Sequence, residues 1–240
     1  MEICKDIFRF YLIYLLVHNS SEFLLGHKEY QNFTKSQRNV LTTTENAGSI
    51  CCTHGQWEAN AYLNVGTTMS MNNETVYFFY NGSGNVAFDK VNQRAYVNYQ
   101  LTAFSPIIPT HYRFKTTKIF DFVKGIMYEI DEQGKCAKEN SEQTLQIVCI
   151  PQSANQLSQG VFGGENVSTY QFSKKDFLEE ITTVTVLQNG SYCETVSLSY
   201  AFFSDDPDTL GGSVYDLDVV DLSHGIKDPS IFVPPKSCDT

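Results

Sequence analysis

Seven cysteines stand at positions 4, 51, 52, 136, 149, 193 and 238. Thiols can cross-link, ligate a metal or attack a carbonyl, and their spacing separates these uses. No two of them form a CxxC pair, which leaves a redox motif or a zinc knuckle without support. Cys149, beside Ile150-Pro151, could be a nucleophile only as a free thiolate, and in an oxidising compartment a half-cystine is the simpler reading. His27, His54, His111 and His224 are scattered, with no HxH or HxxxH spacing for a metal, and no GxSxG elbow occurs. Gly82-Ser-Gly84-Asn-Val-Ala87 fits a dinucleotide-loop pattern superficially. It lacks a following helix and the acid some 20 residues on that such a loop needs, so it reads as a hairpin turn. The chain is expected not to be an enzyme.

Acidic residues suggest different chemistry. Asp206-Pro-Asp208-Thr-Leu-Gly211 starts like a calcium loop, but Leu210 and Leu217 fall where an EF-hand places ligands. A looser calcium site using Asp205, Asp206, Asp208, Asp216 or Asp218 is the alternative to a solvated acidic loop. The net charge of −10 argues against nucleic acid and anionic lipid surfaces as partners.

Residues 1–21 read as a signal peptide, a mixed-charge head followed by the apolar run FYLIYLLV at 10–17, with the cut between Ser20 and Gly26. Cleavage removes Cys4 and leaves six cysteines, an even set that suits a secreted disulfide framework and allows fifteen connectivities. Asn32, Asn73, Asn81, Asn166 and Asn189 each open an N-x-S/T sequon, a second sign of secretion, and each is expected at a surface turn.

The elements that must hold these groups are strands. In Cys193–Ser204, Val196, Leu198, Tyr200 and Phe202 alternate with Thr195, Ser197, Ser199 and Ala201, the period of a strand with one buried face. Further strands are expected at 57–65, 75–80, 86–89, 92–101, 115–123, 126–130, 145–150, 166–172, 184–187 and 214–222. Turns are expected at Asn81–Asn85, Lys124-Gly125 and Gly160–Gly164, with a loop marked by Pro106 and Pro109. A charged loop is expected at 131–143 and one helical turn at Lys174–Glu180. Residues 22–50 read as a mobile arm and 51–240 as one all-β domain, a sandwich or open barrel. Trp57 and the Val196, Leu198, Tyr200 and Phe202 face are candidates to line an apolar ligand pocket.

Several stretches together resemble the ependymin family from Cys51 to Cys238. They are Cys51 with Trp57-Glu58; Phe88-Asp-Lys-Val-Asn-Gln-Arg94; Phe122-Val-Lys-Gly-Ile-Met-Tyr-Glu-Ile-Asp131 with Cys136-Ala-Lys; Ile150-Pro; Tyr192-Cys193; and Gly225-Ile-Lys-Asp-Pro-Ser-Ile-Phe-Val-Pro-Pro-Lys-Ser-Cys238. The resemblance implies a secreted glycoprotein, extracellular or in some members lysosomal. It implies two stacked, curved antiparallel sheets, an open half-barrel similar to bacterial lipoprotein carriers, around an apolar pocket. It further implies a homodimer, an association with calcium and cell–matrix adhesion, matrix components as partners, and a hydrophobic, lipid-like ligand. Family bridges carried onto matching positions give Cys51–Cys193 and Cys136–Cys238. Cys52 and Cys149 are additional to that set and are expected to pair. A further family bridge would begin at Thr110-His111, where no cysteine stands.

Two functions follow as expectations. The first is a secreted carrier of a lipid-like molecule between two β layers. The second is a matrix or adhesion glycoprotein with calcium-binding acidic loops and a merely structural interior.

Overall fold

The computed structural model describes residues 48–71, 74–105, 108–141, 145, 149–175, 178–190, 192–204 and 211–238. Strands dominate. The chain opens with β1 (Ser49–Cys52), β2 (Gln56–Met71), β3 (Glu74–Asp89), β4 (Arg94–Ser105) and β5 (Ile108–Asp121). Four shorter strands follow: β6 (Ile126–Asp131), β7 (Cys136–Asn140), β8 (Cys149–Pro151) and β9 (Asn155–Phe162). The last four are β10 (Glu165–Lys175), β11 (Leu178–Asn189), β12 (Tyr192–Ser204) and β13 (Gly211–His224). Two short 3₁₀ turns, Pro229–Phe232 and Lys236–Cys238, close the described chain.

Hydrogen bonds join these strands in the order β7-β6-β5-β4-β3-β2-β13-β12-β11-β10-β9, with β1 bridging β12 and β8. Every pairing is antiparallel except β1 on β12. The ends of the path, β7 and β9, do not pair, so the sheet is open rather than closed into a barrel. The all-β, open antiparallel architecture expected from the sequence holds, its layers belonging to one continuous hydrogen-bonded ribbon.

Register explains where the core sits. Leu198 faces Leu217, which faces Leu63; Tyr200 faces Tyr215, then Val65, Tyr80 and Ala103 in turn. Side chains in one such row share a face of the sheet. The rows from β2 to β6 put Trp57, Leu63, Val65, Phe88, Val97, Leu101 and Phe120 on this same side. Val65, Val97, Leu101 and Phe120 are wholly buried, which a flat single layer would not achieve. A twisted sheet this wide curls, and its apolar side is the covered one. A second cluster, Tyr170, Val184 and Val186, lies under β1 and β8 through Cys51 and Ile150, and Leu198 packs against both clusters.

Several expectations need correction. Asn81–Asn85 is not a turn but the middle of β3, paired on both sides. There a Cβ on Gly82 or Gly84 would collide with the Gln100 or Asn98 carbonyl. These glycines therefore serve a close strand approach, not a reversal. Pro109 is the second residue of β5 rather than part of a loop, Pro106 lies outside the described residues, and the charged 131–143 stretch contains β7. The described residues of Lys174–Glu180 are strand, not helix: Lys174 stands opposite Glu180 and Lys175 opposite Glu179 in the β10–β11 ladder, while 176–177 lie outside the described residues. Of Gly160–Gly164, Gly160 is in β9 and only Gly163 and Gly164 turn, both with positive φ. The arm at 22–50 lies outside the described residues up to 47, and Ser49 and Ile50 belong to β1.

Candidate functional site

Disulfides fix how the site elements meet. Cys51 is bonded to Cys193, Cys52 to Cys149 and Cys136 to Cys238. The first two tie β1 to the entrance of β12 and to β8, beside the second apolar cluster. The third ties β7 to the end of the chain. Three bonds in a domain of this size suit an oxidising, secreted setting.

Of the candidate pocket residues, Leu198, Tyr200 and Phe202 share the covered side of β12. The Tyr200, Phe202 and Tyr215 rings lie with centroids about 6 Å apart. Val196, half-buried, falls at a register irregularity between β11 and β12. Trp57 is not with them. It stands opposite Phe88, stacked at 5.7 Å, eight residues along β2 from the Val65 row that carries Tyr200. At the rise of a strand that is roughly 27 Å away.

Register also brings a polar constellation into the apolar side, one the sequence reading missed. Val97, Lys118 and Glu129 form one row and Tyr99 and Thr116 the next. Lys118 is 1% exposed and Tyr99 2%. Thr116 Oγ1 lies 3.2 Å from both Glu129 Oε1 and the Ile130 carbonyl. The Tyr99 hydroxyl and Trp57 Nε1 are buried without a hydrogen-bond partner among the described residues. Burial, and after it the charge of Glu129, pushes the Tyr99 phenol far above its ordinary value, so it stays a proton donor. Nothing in Thr116-Thr117-Lys118 as a string signals burial; only pairing with Val97 and Tyr99 does.

The opposite side of β2–β5 carries a trough of about 320 Å³. Tyr62, Ser83, Gln100 and Lys115 form one of its rows, and Asn60, Asn85 and Asn98 the next. Asn85 Nδ2 donates to Asn60 Oδ1, and Asn60 Nδ2 donates to Asp221 Oδ2 at 2.9 Å. Asn81 is half-buried on this same side, two residues before Ser83 on β3.

The other candidates are dispersed. Asp205, Asp206 and Asp208, with the sequons at Asn32 and Asn73, lie outside the described residues. Asp216 and Asp218 are exposed on β13, and Asn166 is exposed just past the Gly163-Gly164 turn. Asn81 departs from the expected surface turn, being in mid-strand; Asn189 ends β11. The fold does bring two distant histidines together: His54 and His224 have ring centroids 4.8 Å apart, and His224 Nε2 meets Glu194 Oε1 at 2.8 Å. No group of three or more His, Cys, Asp or Glu arranged for a metal occurs among the described residues, nor a helix long and apolar enough to cross a membrane.

Known proteins bear on this arrangement. Mammalian ependymin-related protein 1 of Rattus norvegicus is 26% identical over 164 residues, covering 67% of this chain and 68% of its own length. Among solved structures, an uncharacterized conserved protein from Thermus thermophilus aligns over 75% of this chain and 86% of its own, at 8% identity and a TM-score of 0.37. A domain described as an outer membrane lipoprotein-sorting protein domain, from Vibrio parahaemolyticus, covers 72% of this chain and 89% of its own, at 10% identity and a TM-score of 0.18. The family model described as Ependymin matches residues 110–238, more than half of the chain and the part that holds most of the buried constellation, β12 and the C-terminal bridge: the chain belongs to the ependymin family.

Proposed function

We propose that the protein is a secreted, non-enzymatic carrier that holds a lipid-like amphiphile against the apolar side of its sheet. The observation that carries this reading is a mismatch inside that side. Leu63, Val65, Val97 and Leu101 belong to one apolar cluster, and the Tyr99 hydroxyl is buried with them as a donor with no acceptor among the described residues. Leaving a buried hydroxyl unsatisfied costs about 1–3 kcal/mol. A guest with an apolar body and one acceptor oxygen removes that cost and gains burial of its own. Thr116, Lys118 and Glu129 make the polar edge of that cluster, so the guest's head belongs there and its tail toward Leu63.

The family and the three disulfides support secretion; an association as a homodimer is part of the same proposal. Organic extraction of the purified secreted protein, followed by mass spectrometry, tests it. A stoichiometric amphiphile supports the carrier reading, and protein that is clean and refuses to reload defeats it. Calorimetric titration with calcium, with and without substitution of Asp205, Asp206 and Asp208, tests the adhesion reading separately.

A further inference from the structure

We infer that the trough on the outer side of β2–β5 is a carbohydrate site, and that the nearest sugar able to fill it is a glycan on Asn81.

Three observations point the same way. The first is residue type. In a chain of net charge −10, the two rows that line the trough present carboxamides, hydroxyls and a tyrosine ring, with Lys115 the single charge and no carboxylate. Carboxamides offer a donor and an acceptor side by side, which matches neighbouring sugar hydroxyls or an N-acetyl group. Tyr62, 53% exposed, supplies an apolar face for a pyranose ring to lie against.

The second is shape. At about 320 Å³ the trough has the size of a small-ligand site. Ala61, Gly84 and Tyr99 complete its lining between the two rows. The third is position. Asn81 projects from the side of β3 that carries Ser83, so its side chain lies about 7 Å along the strand from the trough. It is also an N-x-S/T acceptor, Asn81-Gly82-Ser83. A sequon placed in the middle of a strand, beside a polar trough, gives the first sugars of its glycan somewhere to lie.

The own-glycan source rests on the secretory reading above; the site itself does not, because a free sugar can be offered to it. The test uses full-length protein secreted from glycosylating cells, with wild type, Asn81→Gln and the exposed double substitution Tyr62→Ala/Gln100→Ala compared. Release of the Asn81 glycan from native protein by peptide N-glycosidase is expected to be about tenfold slower than release from exposed Asn166, the equivalent of one or two modest contacts. The double substitution should bring the two rates together without moving the melting temperature.

In Asn81→Gln the trough is vacant, and N,N′-diacetylchitobiose should bind and lose that binding with the double substitution. If Asn81 carries no protected glycan but chitobiose binds and depends on Tyr62 and Gln100, the site stands and its sugar comes from another molecule. Equal release at both asparagines, together with no chitobiose binding by Asn81→Gln, overturns the inference. Lipid extraction is blind to this face, so that result and a failure of the carrier reading are read independently.

Discussion

Arg94 donates from Nε to Asp89 Oδ2 at 2.7 Å, and its guanidinium lies 4.3 Å over the Phe232 ring. Asp89 is fully buried and also accepts from Gln56 Nε2 at 2.7 Å and from Asn92 N and Nδ2 at 3.1 and 2.7 Å. The pair therefore joins the start of β2, the β3–β4 turn and the C-terminal block. Gln93, in the same turn with positive φ, exchanges hydrogen bonds with the Leu145 backbone, holding Leu145 on the core. Burial alone would raise the Asp89 carboxyl, but hydrogen bonds from Asn92, Gln56 and Arg94 outweigh it and hold it below the ordinary value. A depressed native value stabilises the fold above the unfolded pKa, and this is lost as pH falls through the native one. Urea midpoints should therefore decline below about pH 4. Asp89→Asn should cost about 3 kcal/mol at pH 7 and flatten that decline. An unchanged acid limb in Asp89→Asn would remove Asp89 as its source.

The Cys136–Cys238 bridge anchors the same C-terminal block from the other side. Its partners are 102 residues apart, and on the chain-entropy model a loop of that length contributes about 4–5 kcal/mol. Replacing both cysteines with serine should lower the unfolding free energy by up to that amount. Amide exchange around Phe232 should accelerate by more than it does in β2 or β3. Equal acceleration throughout would mean that the block does not depend on its bridge.

Glycine positions offer a paired comparison. Gly84→Ala puts a methyl against the Asn98 carbonyl and Tyr99 Cα, whereas nothing lies within 4 Å of a Cβ at Gly66. Gly84→Ala should destabilise by about 3 kcal/mol, through strand displacement. Gly66→Ala should stay within about 0.5 kcal/mol of wild type. Thermal melts of the two variants decide it, and similar melting temperatures would contradict the close β3–β4 approach.

These residues also show what a string of letters can and cannot reveal. The alternation in Cys193–Ser204 gave both the strand and its covered side, because period 2 is a local property, and β12 runs Tyr192–Ser204. Asn-Gly-Ser-Gly-Asn has the chemistry of a turn, yet the β2 and β4 ladders run straight through it; tertiary approach overrode local preference. Lys174–Glu180 has helix-forming residues and lost to the β10–β11 ladder in the same way. The buried Lys118 and the trough rows were invisible because each takes one residue from each of several strands, and only register assembles them. Trp57 and Tyr200 are alike as aromatic pocket candidates, and the fold holds them far apart along β2.

Tyr99 separates a structural interior from one that receives a guest. Tyr99→Phe removes the unpaired hydroxyl and keeps the ring that sits edge-on to Phe114 at 6.3 Å. In delipidated protein the substitution should be neutral or stabilising by about 1 kcal/mol. Affinity for a fatty-acid probe should fall about fivefold to tenfold, the loss of one hydrogen bond. Lower stability with unchanged affinity would place the hydroxyl's partner within the protein itself.

A carrier emptied of its guest must take up another. Protein freed of bound material by extraction is titrated with cis-parinaric acid while the emission of Trp57, the single tryptophan, is followed alongside probe fluorescence. A carrier takes up about one probe per chain, saturably, with enhanced probe emission and quenched Trp57, displaced by unlabelled fatty acid and weakened in Tyr99→Phe. A folded, disulfide-intact protein that shows no saturable uptake would contradict the carrier reading.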